Sequence, residues 1–331
     1  MRAKARTPAT AHPLYARVRL VMTTAFVSLL GTGSIQCHVP EPSPPRYPAA
    51  GASDVADLDP AAVLGLDRHA RPWGSEWWLR IAGPVVGSPE GWKIVASDDS
   101  GFDGFAVSGE GPVVVVLPHL EGTDRLARYF ARSFANAGFQ VLAVLPPTTA
   151  LSPEATLEEA IEMLRRRVRV GRLAVRLASS ELHASCTILL GVSLGALTVI
   201  PVAALELEVD GVVAMLAGGD LSWIAAHSKE PALRALRLDD RSSEELRRAV
   251  VELTAVDPLY WAAGIEPSRV LLVRALFDQV IPVPASRALR AAMGLPREKV
   301  YPSGHYSFGL FLPLATRSAI DHAEALCREQ P

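Results

Sequence analysis

A serine flanked by two glycines is the first feature of the sequence that could carry chemistry. The apolar run Thr187 to Leu190 leads into Gly191-Val192-Ser193-Leu194-Gly195, and helix-permissive residues follow. A buried strand that turns sharply into a helix at a serine is a nucleophile elbow, which exposes the hydroxyl at the edge of a sheet. Side chains two residues before and after the serine would collide, and glycine at both positions removes that clash. The stretch therefore predicts that Ser193 is a nucleophile.

An aspartate and a histidine follow the serine along the chain. Asp278 ends the apolar run Val270 to Phe277, where a buried parallel strand would bring a carboxylate to the carboxyl edge of a sheet. His305 follows the short strand-like stretch Lys299 to Tyr301 and lies on a loop. Serine, histidine and aspartate are the residue types of a catalytic triad, in which the histidine activates the serine and the aspartate orients the histidine.

Asp220 is the alternative acid, because it also follows a strand-like stretch, Gly211 to Leu216. The segment after Asp278 suits an acid loop better, since Val280-Ile281-Pro282 leads into a helix from Pro284. If Asp278 is the acid, Asp220 is expected to cap a helix that begins near Leu221 or to line the pocket.

These features resemble the α/β-hydrolase superfamily over roughly residues 90 to 328. The motifs that carry the resemblance are the elbow, Phe277-Asp278-Gln279-Val280-Ile281-Pro282 and Gly304-His305. It implies an α/β fold with a mostly parallel central sheet flanked by helices. It also implies a small helical cap insertion at about residues 221–262, in which Trp223, Ile224, Tyr260 and Trp261 could wall a pocket or pack in the core.

The resemblance further implies an oxyanion hole built from two backbone N–H groups. One belongs to Leu194, the residue after the serine, and the other to Leu120 or Glu121, in the turn after the strand Val113 to Leu117. Leu120 stands where relatives commonly have glycine. His119 is expected to shape this turn rather than to act as a base.

The rest of the pattern agrees with a parallel sheet, because strand-like and helix-like segments alternate. Further strands are predicted over Gln140 to Leu145 and in a lead-in ribbon at Glu76 to Ile81 and Trp92 to Ala96. Helices are predicted over Asp124 to Ala137 and from Pro153 toward Leu177, with a kink or join at Gly171. The clustered tryptophans of the ribbon suit core or lid packing, or a carbohydrate platform.

Composition excludes several other functions. The net charge is -2 and 49% of the 331 residues are hydrophobic, which suits one globular domain and argues against nucleic-acid binding. The eight histidines are scattered and the cysteines are expected to be unpaired, so no metal site or cofactor is predicted. Three cysteines are also too few for a disulfide framework.

The first 72 residues are predicted to comprise an export signal followed by a tether. Residues 1–37 combine a basic front with an apolar run near Leu20 to Leu30, which is the pattern of an export signal. Cys37 resembles the lipidated cysteine of a bacterial lipoprotein, and would tether the chain to a membrane, although Gln36 replaces the usual small residue. Residues 38–72 form a Pro-rich tether, and residues 73–331 form the hydrolase-like domain.

The predicted activity is hydrolysis of a small or medium carboxylic ester through an acyl-enzyme intermediate. The same residues would also serve a thioesterase, lipase, acyltransferase or peptidase. The alternative from another class is a non-catalytic surface lipoprotein that uses the fold as a binding module. The sequence does not indicate an oligomeric state.

Overall fold

The computed structural model describes residues 77–81, 91–96, 102–107, 111–117, 119, 125–145, 154–237 and 243–328. The predicted signal at 1–37, the tether at 38–72 and the oxyanion candidates Leu120 and Glu121 lie outside the described residues.

The described residues alternate between strands and helices. The strands are β1 (Trp77–Ile81), β2 (Gly91–Ala96), β3 (Phe102–Val107), β4 (Val113–Leu117), β5 (Gln140–Val144), β6 (Thr187–Val192), β7 (Gly211–Met215), β8 (Val270–Ala275) and β9 (Arg297–Tyr301). The α-helices are α1 (Arg125–Ala135), α2 (Leu157–Ser180), α3 (Leu194–Leu205), α4 (Leu221–His227), α5 (Ser243–Val256), α6 (Pro258–Trp261), α7 (Val283–Ala292) and α8 (Leu312–Arg328). Short 3-10 turns cover Pro231–Leu236, Ala262–Gly264, Pro267–Arg269 and Ser307–Phe311.

All nine of these strands form one sheet, in the order β1-β2-β3-β5-β4-β6-β7-β8-β9. The first three strands are antiparallel to their neighbours, including β3 against β5. From β5 to β9 every pair is parallel. The carboxyl ends of these parallel strands therefore meet at one edge, which is where open α/β sheets bind ligands.

Strand β4 shows why the sheet needs helices on both faces. Its alternate residues Val113, Val115 and Leu117 pack into a cluster with α2 and α3. Val114 and Val116 face the other way, into a cluster with α1 and α8. Each fully buried valine contributes about 1.5 to 3 kcal/mol of burial free energy, so a continuous β-branched run is stable only between two layers.

Helix α2 is one continuous helix and not two joined at Gly171, so the predicted kink is wrong. It begins with a capping box, in which Thr156 and Glu159 bond each other's backbone N–H groups. A Cβ on Gly171 would lie 2.7 Å from Cγ2 of Val202 in α3. A glycine is needed here because the two helices approach closely. From the sequence alone, a glycine at a close helix contact cannot be distinguished from a glycine that breaks a helix.

Two features escaped sequence reasoning. Strand β3 was not predicted, because it contains Asp103 and Gly104, which are both poor strand formers. It forms a strand through its backbone pairing with β2 and β5. A disulfide also joins Cys186, which immediately precedes β6, to Cys327 in α8, with 5.6 Å between their Cα atoms. The interpretation of the cysteines as unpaired is therefore wrong for these two, because a single bond across 141 residues cannot be recognised from cysteine spacing.

In the described part of the chain no helix is both long and apolar enough to span a bilayer. The predicted insertion at 221–262 is helical, comprising α4, the turn Pro231–Leu236, α5 and α6. Its role as a cap remains a prediction.

Candidate active site

Ser193 occupies a strained turn between β6 and α3. Its φ of 55° and ψ of -119° lie in a region that residues with a Cβ rarely adopt, and its N–H donates to the Met215 carbonyl of β7 at 2.9 Å. A Cβ on Gly191 would lie 2.3 Å from the carbonyl oxygen of Gly195. The glycine at 191 is therefore required by the close approach of the strand end to the first turn of the helix.

The three side chains singled out from the sequence form one continuous chain of hydrogen bonds. His305 Nε2 lies 2.9 Å from Ser193 Oγ, and His305 Nδ1 lies 2.8 Å from Asp278 Oδ2. The imidazole is 9% exposed and the carboxylate 2% exposed, whereas Ser193 is half-buried. Shielding from water strengthens these electrostatic contacts.

Backbone N–H groups fix the orientation of the Asp278 carboxylate. Its Oδ1 accepts hydrogen bonds from Val280 and Ile281, each at 2.9 Å, which leaves Oδ2 facing His305. Both donors belong to the Asp278 loop itself, so the run after the aspartate sets the carboxylate's position.

The loop that carries His305 is held against the acid loop by main-chain contacts. The Leu276 N–H donates to Tyr301 at 2.9 Å, and the Phe277 N–H donates to Ser303 at the same distance. These bonds extend the parallel pairing of β8 and β9 past the strand ends. They set the distance between the carboxylate and the imidazole.

One predicted oxyanion donor, Leu194, lies at the start of a helix. Leu194 is the first residue of α3, so its N–H has no acceptor within the helix and lies at the positive end of the helix dipole. An anion next to Ser193 would be stabilised there. Leu120 and Glu121 lie outside the described residues.

A buried arginine contacts the residue just before those two. Arg167 of α2 donates from Nη2 to the carbonyl of His119 at 3.5 Å. Burial lowers the pKa of Arg167 to about 10, which still leaves it protonated at neutral pH. The His119 carbonyl is thus held by a charged group.

Several solved structures with a similar arrangement of strands and helices are esterases. An acetyl xylan esterase from a Thermoanaerobacterium species aligns with a TM-score of 0.60 at 18% identity, covering 80% of this chain and 92% of its own. An acetyl xylan esterase from a Paenibacillus species aligns with a TM-score of 0.60 at 15% identity, covering 85% and 97%. An esterase from Pyrococcus furiosus gives 0.52 at 15% identity, covering 86% and 99%.

The chain has the α/β-hydrolase fold. The fold class predicted from the sequence is thereby confirmed. At these identities the likeness concerns the fold. Neither a protein-family model nor a curated protein sequence matches the chain.

Within this α/β-hydrolase fold, the three side chains reach the site from three parallel strands. Ser193 follows β6 directly, Asp278 follows β8 after Leu276 and Phe277, and His305 lies in the loop after β9. All three therefore lie beyond the carboxyl ends of strands in the parallel part of the sheet, although they are up to 112 residues apart in sequence. Parallel pairing brings them together.

Asp220, the alternative acid, has a different position. It is the N-cap of α4, where its Oδ1 accepts the Trp223 N–H at 3.1 Å and the Ser222 hydroxyl at 2.9 Å. Its own N–H donates to Asp257 at 3.0 Å. The capping role expected for Asp220 is thus what the structure shows, and the carboxylate in contact with His305 is that of Asp278.

A cavity of about 530 Å³ adjoins His305. Its described lining residues come from the insertion, the acid loop and the histidine loop: Lys229, Glu230, Pro231, Phe277, Gln279, Val280, Gly304, His305, Tyr306 and Ser307.

The pocket-wall candidates named from the sequence do not line this cavity. Ile224 and Trp261 are buried in the core, Trp223 stacks on the His227 ring, and Tyr260 contacts Trp261 edge to face. The polar lining residues were missed because they lie on irregular segments with no periodic signal. Within the described ranges, no group of three or more His, Cys, Asp or Glu side chains is placed to hold a metal ion.

Proposed function

We propose that this protein is a serine hydrolase that cleaves a carboxylic ester. The observation that carries the proposal is the hydrogen-bonded series Ser193, His305, Asp278 at distances of 2.9 and 2.8 Å. The esterase neighbours of the same fold support it.

In the acylation step, His305 Nε2 takes the proton of Ser193 while Oγ attacks the ester carbonyl. A serine hydroxyl is a poor nucleophile at neutral pH, so it needs this general base. Asp278 accepts the Nδ1–H of His305, which leaves Nε2 free to receive the proton and stabilises the imidazolium that forms. The two backbone donors that hold Asp278 Oδ1 keep this arrangement fixed before substrate binds.

The negative charge on the carbonyl oxygen is stabilised by the Leu194 N–H. A second N–H from Leu120 or Glu121 would complete the oxyanion hole. Losing one such donor typically costs about 3 to 4 kcal/mol of barrier stabilisation. His305 then gives its proton to the leaving alcohol, and water, activated by the same imidazole, hydrolyses the acyl-serine.

The strained backbone at Ser193 argues against a binding module without catalysis. Ser193 combines a φ of 55° with a ψ of -119°, and backbone strain of this kind costs on the order of 1 to 3 kcal/mol and clusters at active sites. A binding module would have no need for a serine held in this conformation beside an imidazole.

Hydrolysis of p-nitrophenyl acetate by the wild type and by Ser193→Ala tests the proposal. The variant is expected to lose at least about 10³-fold in kcat while keeping the wild-type circular dichroism spectrum, since only a hydroxyl is removed. Ser180→Ala is the matched control, because it removes an exposed hydroxyl at the end of α2. Turnover retained in purified Ser193→Ala would overturn the proposal.

We also propose that the protein is exported and anchored through Cys37. The basic and apolar leader supports export, and the Cys186–Cys327 disulfide suits an oxidising compartment. Mass spectrometry of the membrane fraction is expected to find a lipidated Cys37 as the new amino terminus, and Cys37→Ser is expected to move the protein out of that fraction. An intact, unmodified Cys37 in the mature protein would contradict the anchor.

A further inference from the structure

We propose that the cavity beside His305 binds the alcohol part of the ester, and that this alcohol is a sugar. The inference rests on the proposed function, because it assigns a substrate class to the same site. Three observations carry it: the position of the cavity, the exposed aromatic rings in its wall and the polar groups around them.

The position follows from where the proton goes. When Ser193 Oγ forms its bond to the carbonyl carbon, the bond from that carbon to the alcohol oxygen breaks, and His305 Nε2 returns the serine proton to that oxygen. The alcohol must therefore lie within hydrogen-bond distance of His305. The cavity is lined by His305, whereas Ser193 and Leu194, which hold the acyl group, are not among its lining residues.

The aromatic rings provide flat apolar surfaces. Phe277, which immediately precedes Asp278, is 62% exposed, and Tyr306, which follows His305, is 69% exposed. Both residues line the cavity, so a ligand bound in it would contact both rings. A pyranose ring presents flat C–H faces that can pack against aromatic rings.

The polar groups in the wall match the hydroxyl groups around the edge of a pyranose ring. Gln279 is exposed and offers an amide donor and acceptor, and Glu230 offers carboxylate oxygens with lone pairs beyond those already used. Lys229 adds an ammonium group. Because Lys229 and Glu230 have opposite charges, the wall does not favour a charged alcohol. A plain hydrocarbon alcohol would make no hydrogen bonds to these side chains, whereas a sugar can.

The wall is already assembled by contacts between its three segments. The Lys229 N–H donates to the Gln279 carbonyl at 2.9 Å. The Tyr306 hydroxyl donates to Glu230, whose other oxygen accepts the Ala232 N–H at 3.3 Å. A preformed wall of this kind avoids the entropy of ordering side chains when the ligand binds.

Acetyl esters that differ only in the alcohol isolate this subsite, because all of them produce the same acetyl-enzyme. The probes are the 6-O-acetyl ester of methyl glucoside, cyclohexyl acetate and ethyl acetate. In the wild type, kcat/KM for the sugar ester is expected to exceed that for cyclohexyl acetate by about tenfold or more, the effect of at least one additional hydrogen bond.

Two variants then probe the wall. Gln279→Ala is expected to lower the ratio of kcat/KM for the sugar ester to that for cyclohexyl acetate by about tenfold, since only the sugar bonds the amide. Phe277→Ala is expected to lower the ratio of kcat/KM for either ring ester to that for ethyl acetate, because the sugar ring and the cyclohexyl ring both lose the phenyl ring they pack against. Leu207→Ala is the control, because Leu207 is 84% exposed and does not line the cavity.

The outcomes separate this inference from the proposed function. Ester hydrolysis that depends on Ser193, with ratios unchanged in both variants or with cyclohexyl acetate preferred, would overturn the sugar subsite and leave the hydrolase intact. If none of the esters is hydrolysed with dependence on Ser193, the proposed function fails and the subsite fails with it.

Discussion

Asp278 illustrates how single residues build the candidate site. Its Oδ1 is held by the Val280 and Ile281 N–H groups, so only Oδ2 can reach His305. The role of an aspartate could be predicted from a strand end, but its orientation depends on two backbone donors that exist only once the loop has folded.

The variant Asp278→Asn tests this orientation. An asparagine would keep its oxygen on the two N–H donors and turn its amide NH₂ toward His305 Nδ1. That contact favours the tautomer with a proton on Nε2, which cannot accept the serine proton, so kcat is expected to fall about 10⁴-fold. The check is steady-state hydrolysis of p-nitrophenyl acetate, with Asp321→Asn as a surface control. A loss smaller than about tenfold would show that Asp278 does not set the tautomer.

Gly191 is a second residue whose type is fixed by geometry. The variant Gly191→Ala places a Cβ against the Gly195 carbonyl, and overpacking of this kind costs roughly 1 to 3 kcal/mol or more. Urea unfolding is expected to show that loss in the free energy of unfolding, together with reduced esterase activity. Gly309→Ala is the matched control, since no atom lies within 4 Å of its Cβ position. Equal stability of the two variants would contradict the close approach.

At the scale of elements, a buried carboxylate joins two helix starts. Asp257 is the N-cap of α6, where it accepts the Leu259 N–H at 2.8 Å. It also accepts the N–H groups of Asp220 at 3.0 Å and Leu221 at 2.5 Å, at the start of α4. Burial raises the pKa of Asp257 to about 7, with a smaller contribution from the Asp220 charge, while the N–H donors oppose the rise.

This carboxylate predicts a particular dependence of stability on pH. The unfolded chain releases the proton near pH 4, whereas the folded chain holds it up to about pH 7. Asp257 therefore stabilises the fold most at low pH, and that contribution is lost as pH rises to about 7, on the order of 4 kcal/mol. Denaturant unfolding between pH 4.5 and 8 is expected to show this fall in the wild type and a flatter profile in Asp257→Asn. Identical pH profiles would contradict it.

The elements themselves were largely predictable where they are long or buried on both faces. The run at Val113 to Leu117 became β4 with those bounds, because only a two-sided sheet buries it. Strand β3 and the residues that line the cavity were not predictable, since they depend on pairing partners and loop contacts. The kink expected in α2 was wrong for a related reason: glycine marks both breaks and close helix packing.

At the scale of the molecule, the Cys186–Cys327 disulfide ties the strand that leads to Ser193 to the last helix. Closing a loop of 141 residues stabilises the fold by about 2 to 5 kcal/mol. The variant Cys186→Ser/Cys327→Ser is expected to lose that amount in denaturant unfolding. A reducing agent is expected to destabilise the wild type similarly and to leave the double variant unchanged. Equal stability of oxidised wild type and double variant would show that the bond contributes nothing.

Labelling with a fluorophosphonate probe tests the central claim most directly, because the probe reacts with an activated serine whatever the natural substrate is. The wild type is expected to be labelled on Ser193, with little labelling of Ser193→Ala and reduced labelling when His305 is replaced by alanine. Absence of label on well-folded wild type, or label that persists in Ser193→Ala, would contradict the assignment of Ser193, His305 and Asp278 as a working hydrolase site.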